Sequence, residues 1–282
     1  MKTFLLTSFA LACFAFNSIL CRLALKTNEI DAVGFTLVRI ASGVVMLLII
    51  SLLFGRVGEK KLRGKPVSAF FLFAYAACFS LAYINLTTGT GALILFGSVQ
   101  ATMIAAALAA GERPRALEWV GFVAALGGLI YLVFPGLAAP PLASSALMAL
   151  AGVAWGFYSL RGRGVANPLA ETAGNFVIAS FMIILVSLPF LARIHSTPKG
   201  LTFAILSGAC ASGIGYSVWY AALKFHTATR AAILQLAVPL LAAVGGVIFL
   251  AEEISIRLVL AAASILGGIA LAIFGKTKSK AN

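Results

Sequence analysis

Acidic side chains are scarce in this chain of 282 residues: eight Asp and Glu and two His stand beside 21 Lys and Arg. Charged residues together reach only 10%, against about 25% in an ordinary soluble protein, so there is too little ionic surface to keep a globule in water. The shortage also bears on chemistry. His195 and His226 fall in two separate connections with no further ligands beside them, and a metal site is not expected. The four cysteines, Cys13, Cys21, Cys78 and Cys210, lie inside or at the edge of apolar runs, where they behave as small hydrophobes rather than as a disulfide framework. Gly58 to Gly64-Lys65 fails the phosphate-loop pattern, because five residues separate the glycines and Pro66 follows the lysine. No cofactor is expected. Long polar stretches that would form a soluble catalytic, nucleic-acid-binding or receptor domain are missing as well.

Apolar residues are what the chain has in quantity, at 62%, with a mean hydropathy of +1.07. A spanning helix takes about 20 of them, and the hydrophobic windows predict ten spans at 3–25, 32–54, 67–86, 90–110, 116–134, 142–160, 169–191, 201–222, 228–250 and 255–274. The expected fold is therefore all-α, a polytopic membrane protein surrounded by the lipid bilayer. Short Pro/Gly joints such as Pro135-Gly136 and Pro140-Pro141 separate the spans. Lys2 and the apolar stretch to Cys21 look superficially like a secretory signal, but without a small-x-small cleavage site they read as an uncleaved first span.

The basic residues set the orientation. With the N-terminus inside, fifteen Lys and Arg fall on the cytoplasmic face, five (Arg22, Lys26, Arg193, Lys199 and Arg257) on the other, and Arg39 alone inside a span. The expectation is a multi-pass protein of the cytoplasmic (inner) membrane with both termini in the cytoplasm. The net charge of +13 is then an orientation signal and not a nucleic-acid footprint. With no sizeable soluble face, no obligate protein partner is expected.

An internal repeat is visible at an offset of 140 residues. Leu126-Gly127-Gly128 and Phe134 recur as Leu266-Gly267-Gly268 and Phe274, Glu112 recurs as Glu252, and Phe79 as Trp219, while Phe16 and Trp155 stand 139 apart. The spacing divides the chain into units 1–138 and 139–282. Each unit holds five predicted spans, an odd number, so the second enters the membrane inverted relative to the first. Inverted repeats of this kind allow two halves to exchange conformations about a central site.

These two five-span units resemble the EamA branch of the drug/metabolite transporter superfamily over essentially the whole chain. The resemblance is carried by Arg39 within Leu37-Val38-Arg39-Ile40-Ala41, by Trp155-Gly156 in span six, and by the Gly111-Glu112-Arg113 and Ala251-Glu252-Glu253 steps before Gly-Gly helices. Phe96-Gly97-Ser98-Val99-Gln100 leading to Gly111-Glu112-Arg113 looks most like the YddG-type exporters of aromatic and other neutral amino acids. The chain departs from the family at Phe16-Asn17, where Trp-Gly is frequent, and in span seven, which has no arginine to match Arg39. The resemblance implies a ten-helix basket. Its substrate cavity would be lined mainly by spans one, three, four, six, eight and nine, with the last helix of each unit outside as support.

Polar atoms far from helix ends are costly in lipid and should face protein or a water-filled cavity. Asn17, Ser98, Gln100 and Gln235 are the candidates here, with Ser80, Thr102 and Ser212 at similar depth. Amides serve equally as cavity lining and as bonds between helices, and both readings stand for Gln100 and Gln235. Tyr75, Phe79 and Tyr83 form an i, i+4, i+8 stripe on span three, and Tyr216 and Tyr220, with Trp219 adjacent, form another on span eight. With Phe16 and Trp155 they make a candidate aromatic wall for an apolar solute. Trp119, Tyr131 and Tyr158 fit an interfacial belt better. Arg39 reads either as a snorkelling side chain or as the attraction for a carboxylate. Pro239 is a hinge candidate, because it leaves a carbonyl near Gln235 without its helical donor. Glu112 and Glu252 tie helix ends to loops.

The function expected is a secondary transporter that exports small neutral metabolites, most of all amino acids of the aromatic, methionine and threonine type, by alternating access. None of the acidic residues and neither histidine reaches the midplane, so a uniporter or exchanger is expected rather than a proton-coupled carrier. The alternatives are drugs, sugars or other metabolites as cargo; a nucleotide sugar would need several cavity cations where only Arg39 is available. An intramembrane enzyme would need a buried acid/base constellation that the sequence does not offer.

Overall fold

The computed structural model describes residues 2–54, 64–109, 116–134, 139–162, 165–223, 225, 234–235 and 237–277. Among them the backbone is helical almost throughout, and the one pairing of extended residues is an isolated bridge between Ile30 and Ser196. This follows from the composition: in hydrocarbon each N–H and C=O must be satisfied within its own segment, which a helix does. The helices are α1 (Lys2–Lys26), α2 (Ala32–Phe54), α3 (Pro66–Ala82), α4 (Thr88–Ala109), α5 (Ala116–Val133), α6 (Leu142–Gly162), α7 (Pro168–Ser187), α8 (Pro198–Leu223), α9 (Ala237–Leu250) and α10 (Ile256–Thr277). Proline at the first helical position opens α3, α7 and α8 where its missing N–H costs nothing. Asn167 and Thr197 cap the last two by accepting from Ala170 N and Gly200 N.

Among the described residues, six helical stretches are long and apolar enough to cross a membrane: α1, α2, α4, α6, α8 and α7 continued to Arg193. Pro66–Ala82, Trp119–Leu132, Ala237–Leu250 and Ile256–Leu271 are shorter apolar helices. Leu52, Leu53, Phe181, Leu185, Ile248 and Ile256 stand on the exterior. An apolar outside of that extent is a lipid-facing surface.

The boundaries depart from the predicted spans in three places. α3 stops at Ala82, so Tyr83 is its C-cap residue rather than part of its third turn. α7 tightens into a 3-10 turn over Leu188–Arg193 at Pro189. In span nine, residues 228–233 and Leu236 lie outside the described residues, as does Glu112. The hinge expected at Pro239 falls partly on them; Pro239 itself is buried in the first turn of α9.

α8 holds an element that hydropathy did not foresee. It is α-helical to Ile205, widens into a π-helix over Leu206–Ile214 and resumes as α-helix from Gly215. The wide turn lies against α2, and at Gly208 a Cβ would collide with the Arg39 carbonyl and Ser42 Oγ. Small residues set the other close approaches too. Gly152 of α6 faces Leu95 O and Ser98 of α4, and Gly156 faces Thr102. α5 and α10 pack reciprocally: Gly128 meets Ser264 and Ile265, and Gly268 meets Ala124 and the Gly121 carbonyl, while Ser264 Oγ donates to Ala124 O at 2.9 Å. Gly127 and Gly267 have nothing within 4 Å.

One end of the bundle is fastened by polar contacts. Arg22 at the end of α1 donates to Tyr83 O at 2.9 Å and Ile84 O at 2.7 Å, and pairs with Glu252 Oε1 at 3.4 Å. Glu252 Oε2 accepts the Thr88 amide that opens α4 at 2.7 Å. Beside this, Asp31 Oδ2 accepts the His195 amide, and the Thr197 hydroxyl donates to Glu29 Oε2. That hydroxyl, with Lys199 next to it, holds the Glu29 carboxyl below its ordinary range. The Arg22 network joins the ends of α1, α3, α4 and α9, while the second group ties the α1–α2 connection to the one before α8.

Candidate functional site

The centre of the bundle is built by helical spacing on five helices. Phe14 and Asn17 share a face of α1, Tyr75 and Phe79 a face of α3, and Ser212 and Tyr216 a face of α8, with Trp155 arriving from α6. α2 brings Arg39 among them, a residue only 1% exposed. Arg39 Nε donates to Ser212 Oγ at 3.3 Å, and Nη2 donates to the hydroxyls of Tyr75 at 3.2 Å and Tyr216 at 3.1 Å. The guanidinium carbon also lies 5.1 Å from the Tyr75 ring centroid and 4.9 Å from that of Phe79, within cation–π range. Asn17 donates to the Tyr75 hydroxyl at 3.2 Å and accepts from Ser207 Oγ at 2.5 Å.

Donors outnumber acceptors in this cluster. The Tyr75 oxygen receives from Arg39, Asn17 and Tyr216, one more than the two lone pairs of a hydroxyl can serve. Arg39 Nη1 and Trp155 Nε1 are buried with no hydrogen-bond partner among the described residues. The described ion pairs lie at Arg22, Lys65, His195 and Lys199, none at Arg39. A buried guanidinium with a spare N–H edge and no carboxylate beside it has the chemistry to receive an anionic group.

Aromatic rings enclose the cluster. Phe14 meets Trp155 at 5.8 Å, Tyr216 at 5.8 Å and Trp219 at 5.6 Å, all edge to face, and Trp155 lies 4.7 Å from Tyr216 and 5.0 Å from Tyr75. Between them runs a narrow cleft with room for water rather than for a solute, lined among others by Phe14, Asn17, Phe79, Phe96 and Trp155.

The structure brings Asn17, Arg39, Tyr75, Phe79, Trp155, Tyr216 and Trp219 into one cluster. Tyr83 is buried but lies at the fastened end, its hydroxyl donating to Thr88 O at 3.3 Å. Ser98 packs against Gly152 at the α4–α6 contact. Gln100 and Gln235 are buried on α4 and next to α9. Tyr220 belongs to a separate pocket with Tyr158 and Glu171. Two expectations are corrected. Phe16 is 40% exposed; two residues from Phe14, it falls across the helix from the cluster. Tyr158 is buried, 5.6 Å from Trp155, and is no belt residue. Arg39 does not snorkel. Sequence reasoning missed Phe14, Ser207 and Phe176 of α7, whose ring lies 5.9 Å from that of Tyr216. The spacing of Phe14, Asn17 and Cys21 at i, i+3 and i+7 was the available signal for the first.

No group of His, Cys, Asp and Glu able to hold a metal occurs among the described residues. Comparison with known proteins places this architecture. The pattern of the EamA-like transporter family matches residues 143–274. An uncharacterized protein of Pseudomonas aeruginosa is 49% identical over 270 residues, 96% of this chain and 94% of its own length. An uncharacterized transporter of Archaeoglobus fulgidus is 25% identical, over 72% of this chain and 74% of its own. The uncharacterized transporter YwfM of Bacillus subtilis is 28% identical, over 67% and 66%. A protein crystal structure superposes with a TM-score of 0.69 over 98% of this chain and 99% of that one; at 20% identity it speaks for the fold alone. Fold, lipid-facing surface and relatives together define a multi-pass membrane transporter. Residues 143–274 belong to the EamA-like transporter family.

Proposed function

We propose that this transporter exports small neutral metabolites that carry a carboxylate, amino acids of the aromatic, methionine and threonine type, from the cytoplasm across the inner membrane. The observation that carries the reading is the buried Arg39, with an N–H edge unused, set in a ring of aromatic side chains. The guanidinium takes the carboxylate and the rings of Phe14, Trp155 and Tyr216 take the apolar side chain. Two inverted five-span repeats, residues 1–138 and 139–282, rock about this centre with both termini in the cytoplasm. What supports the repeat is the reciprocal contact of α5 and α10, in which Gly128 on Ser264 and Gly268 on Ala124 are equivalent at the 140-residue offset. α6 against α3 and α4 likewise matches α1 against α8 and α9.

The acidic side chains that are described lie at helix ends, so transport runs down the solute gradient or by exchange. Purified protein in liposomes tests the cargo: labelled phenylalanine, methionine or threonine is taken up faster than into protein-free vesicles. Failure of all three removes the amino-acid reading.

A further inference from the structure

At the end of the bundle away from Arg22 and Glu252, α6, α7 and α8 line a second, narrow pocket with room for a water-sized group, among its lining Tyr158, Gly162, Glu171, Thr172, Asn175 and Tyr220. Glu171 supplies the one carboxylate of that lining and is itself only 8% exposed. The Lys65 ammonium reaches it from the surface, Nζ to Oε2 at 3.0 Å, on a side chain that is 50% exposed. The Lys65 backbone is fixed by its amide donating to Asn175 Oδ1 at 2.8 Å, so its charged head can leave without moving the chain. Tyr158, 1% exposed, sets its hydroxyl in the lining beside Thr172, Asn175 and Tyr220. Its ring lies 5.6 Å from Trp155 and 6.2 Å from Tyr220, which joins this pocket to the Arg39 cluster by a continuous line of aromatic contacts.

The chemistry of the two sites is complementary. The Arg39 cluster is rich in donors and holds no acid, so it serves a carboxylate and not an ammonium. The second pocket holds a carboxylate to accept an N–H, the Tyr158 hydroxyl oxygen as a second acceptor and two tyrosine rings for cation–π attraction, which together fit a primary ammonium. Lys65 already presents that group to Glu171. We infer that this pocket is an access site for the primary ammonium of the solute on its way to the Arg39 cluster, with Lys65 as its resident competitor. The inference rests on the transporter reading and adds to it the recognition of the solute's cationic end.

Binding of two half-ligands to purified full-length protein in nanodiscs, followed by calorimetry, separates the sites. Phenethylamine carries the ammonium without a carboxylate, and 3-phenylpropionate the reverse. Phenethylamine binds the wild type, binds Lys65→Ala about tenfold more tightly, and binds Glu171→Gln at least about tenfold more weakly, as loss of one charge-assisted contact predicts. Binding of 3-phenylpropionate is unchanged in both variants and lost in Arg39→Gln. No phenethylamine binding to the wild type, or affinities for it that ignore both Glu171→Gln and Lys65→Ala, would overturn the inference. If 3-phenylpropionate fails to bind while the amine pattern holds, the Arg39 reading falls and the ammonium site stands. Should Glu171→Gln not yield monodisperse protein, Tyr158→Phe replaces it: weaker phenethylamine binding supports the site, and unchanged affinity in both Tyr158→Phe and Lys65→Ala refutes it.

Discussion

A guanidinium inside a membrane protein is costly unless paired, and Arg39 is held only by hydroxyls and ring faces. Its cost is offset when a carboxylate arrives, which makes it the residue on which the proposed activity turns. Arg39→Gln keeps a polar head but removes the charge, and a charge-assisted hydrogen bond is worth about 1.5–3 kcal/mol. The expected result is a roughly tenfold to hundredfold rise in KM for phenylalanine uptake into proteoliposomes, with the variant still inserted and monodisperse. Trp155→Ala, which removes the ring shared by Phe14, Tyr75 and Tyr216, lowers uptake as well. Gln100→Ala does the same if its amide meets the solute; unchanged rates for both would mark them as packing residues. Most of this cluster was legible in the sequence, because an arginine within a span and stripes at i, i+4 report depth and face together. Phe14 and Phe16 were not separable that way. Two phenylalanines at i and i+2 point to different sides of one helix, and only the neighbours of α1 decide which is inside. Tyr158 was misread because nearness to a chain end of α6 says nothing about which helix covers it.

At the scale of the element, hydropathy located the helices well, since lipid demands helical backbone wherever a run is long and apolar. It could not place the π-helix of Leu206–Ile214, because residue polarity is blind to which carbonyl each amide chooses. That segment sets Ser207 toward Asn17 and Ser212 toward Arg39, so its wide turns position the donors of the site. Gly208 is what allows it to lie on α2. Gly208→Ala drives a methyl into the Arg39 carbonyl and Ser42 Oγ, an overpacking that costs about 1–3 kcal/mol and disturbs the site. Gly267→Ala, with nothing within 4 Å of the new methyl, is neutral or stabilises by up to about 1 kcal/mol. Thermal unfolding in detergent compares the two: a lower Tm for Gly208→Ala and an equal or higher one for Gly267→Ala are expected. The reverse order would mean that α2 and α8 do not meet as closely as described. The early end of α3 at Ala82 was equally hidden. Tyr83 and Ile84 are apolar enough to extend a span, yet their carbonyls are taken by Arg22 from another helix.

For the whole molecule, the expectation is that the fastened end holds the central cleft shut and that its contacts break when the cleft opens. Arg22, Glu252 and the Thr88 amide bind the end of α1 to the α3–α4 and α9–α10 connections, and Glu252→Gln weakens two of those contacts at once. A cysteine at Ile84, in a background without the four native cysteines, is expected to react faster with a membrane-impermeant thiol reagent once Glu252→Gln is added. An unchanged rate would separate this network from gating. In the same background, cysteines at Glu59 and Ser196 label from opposite sides of the membrane if the two repeats are inverted, and from one side if they are not. The central claim, that a buried cation in an aromatic ring receives the carboxylate of a solute carried by alternating access, is tested most directly by counterflow. Proteoliposomes are loaded with unlabelled phenylalanine or with phenylalaninamide, which lacks the carboxylate, and the uptake of trace labelled phenylalanine is followed in time. The account predicts a transient overshoot in vesicles loaded with phenylalanine and none in those loaded with the amide. Equal overshoot with both, or with neither, would contradict it.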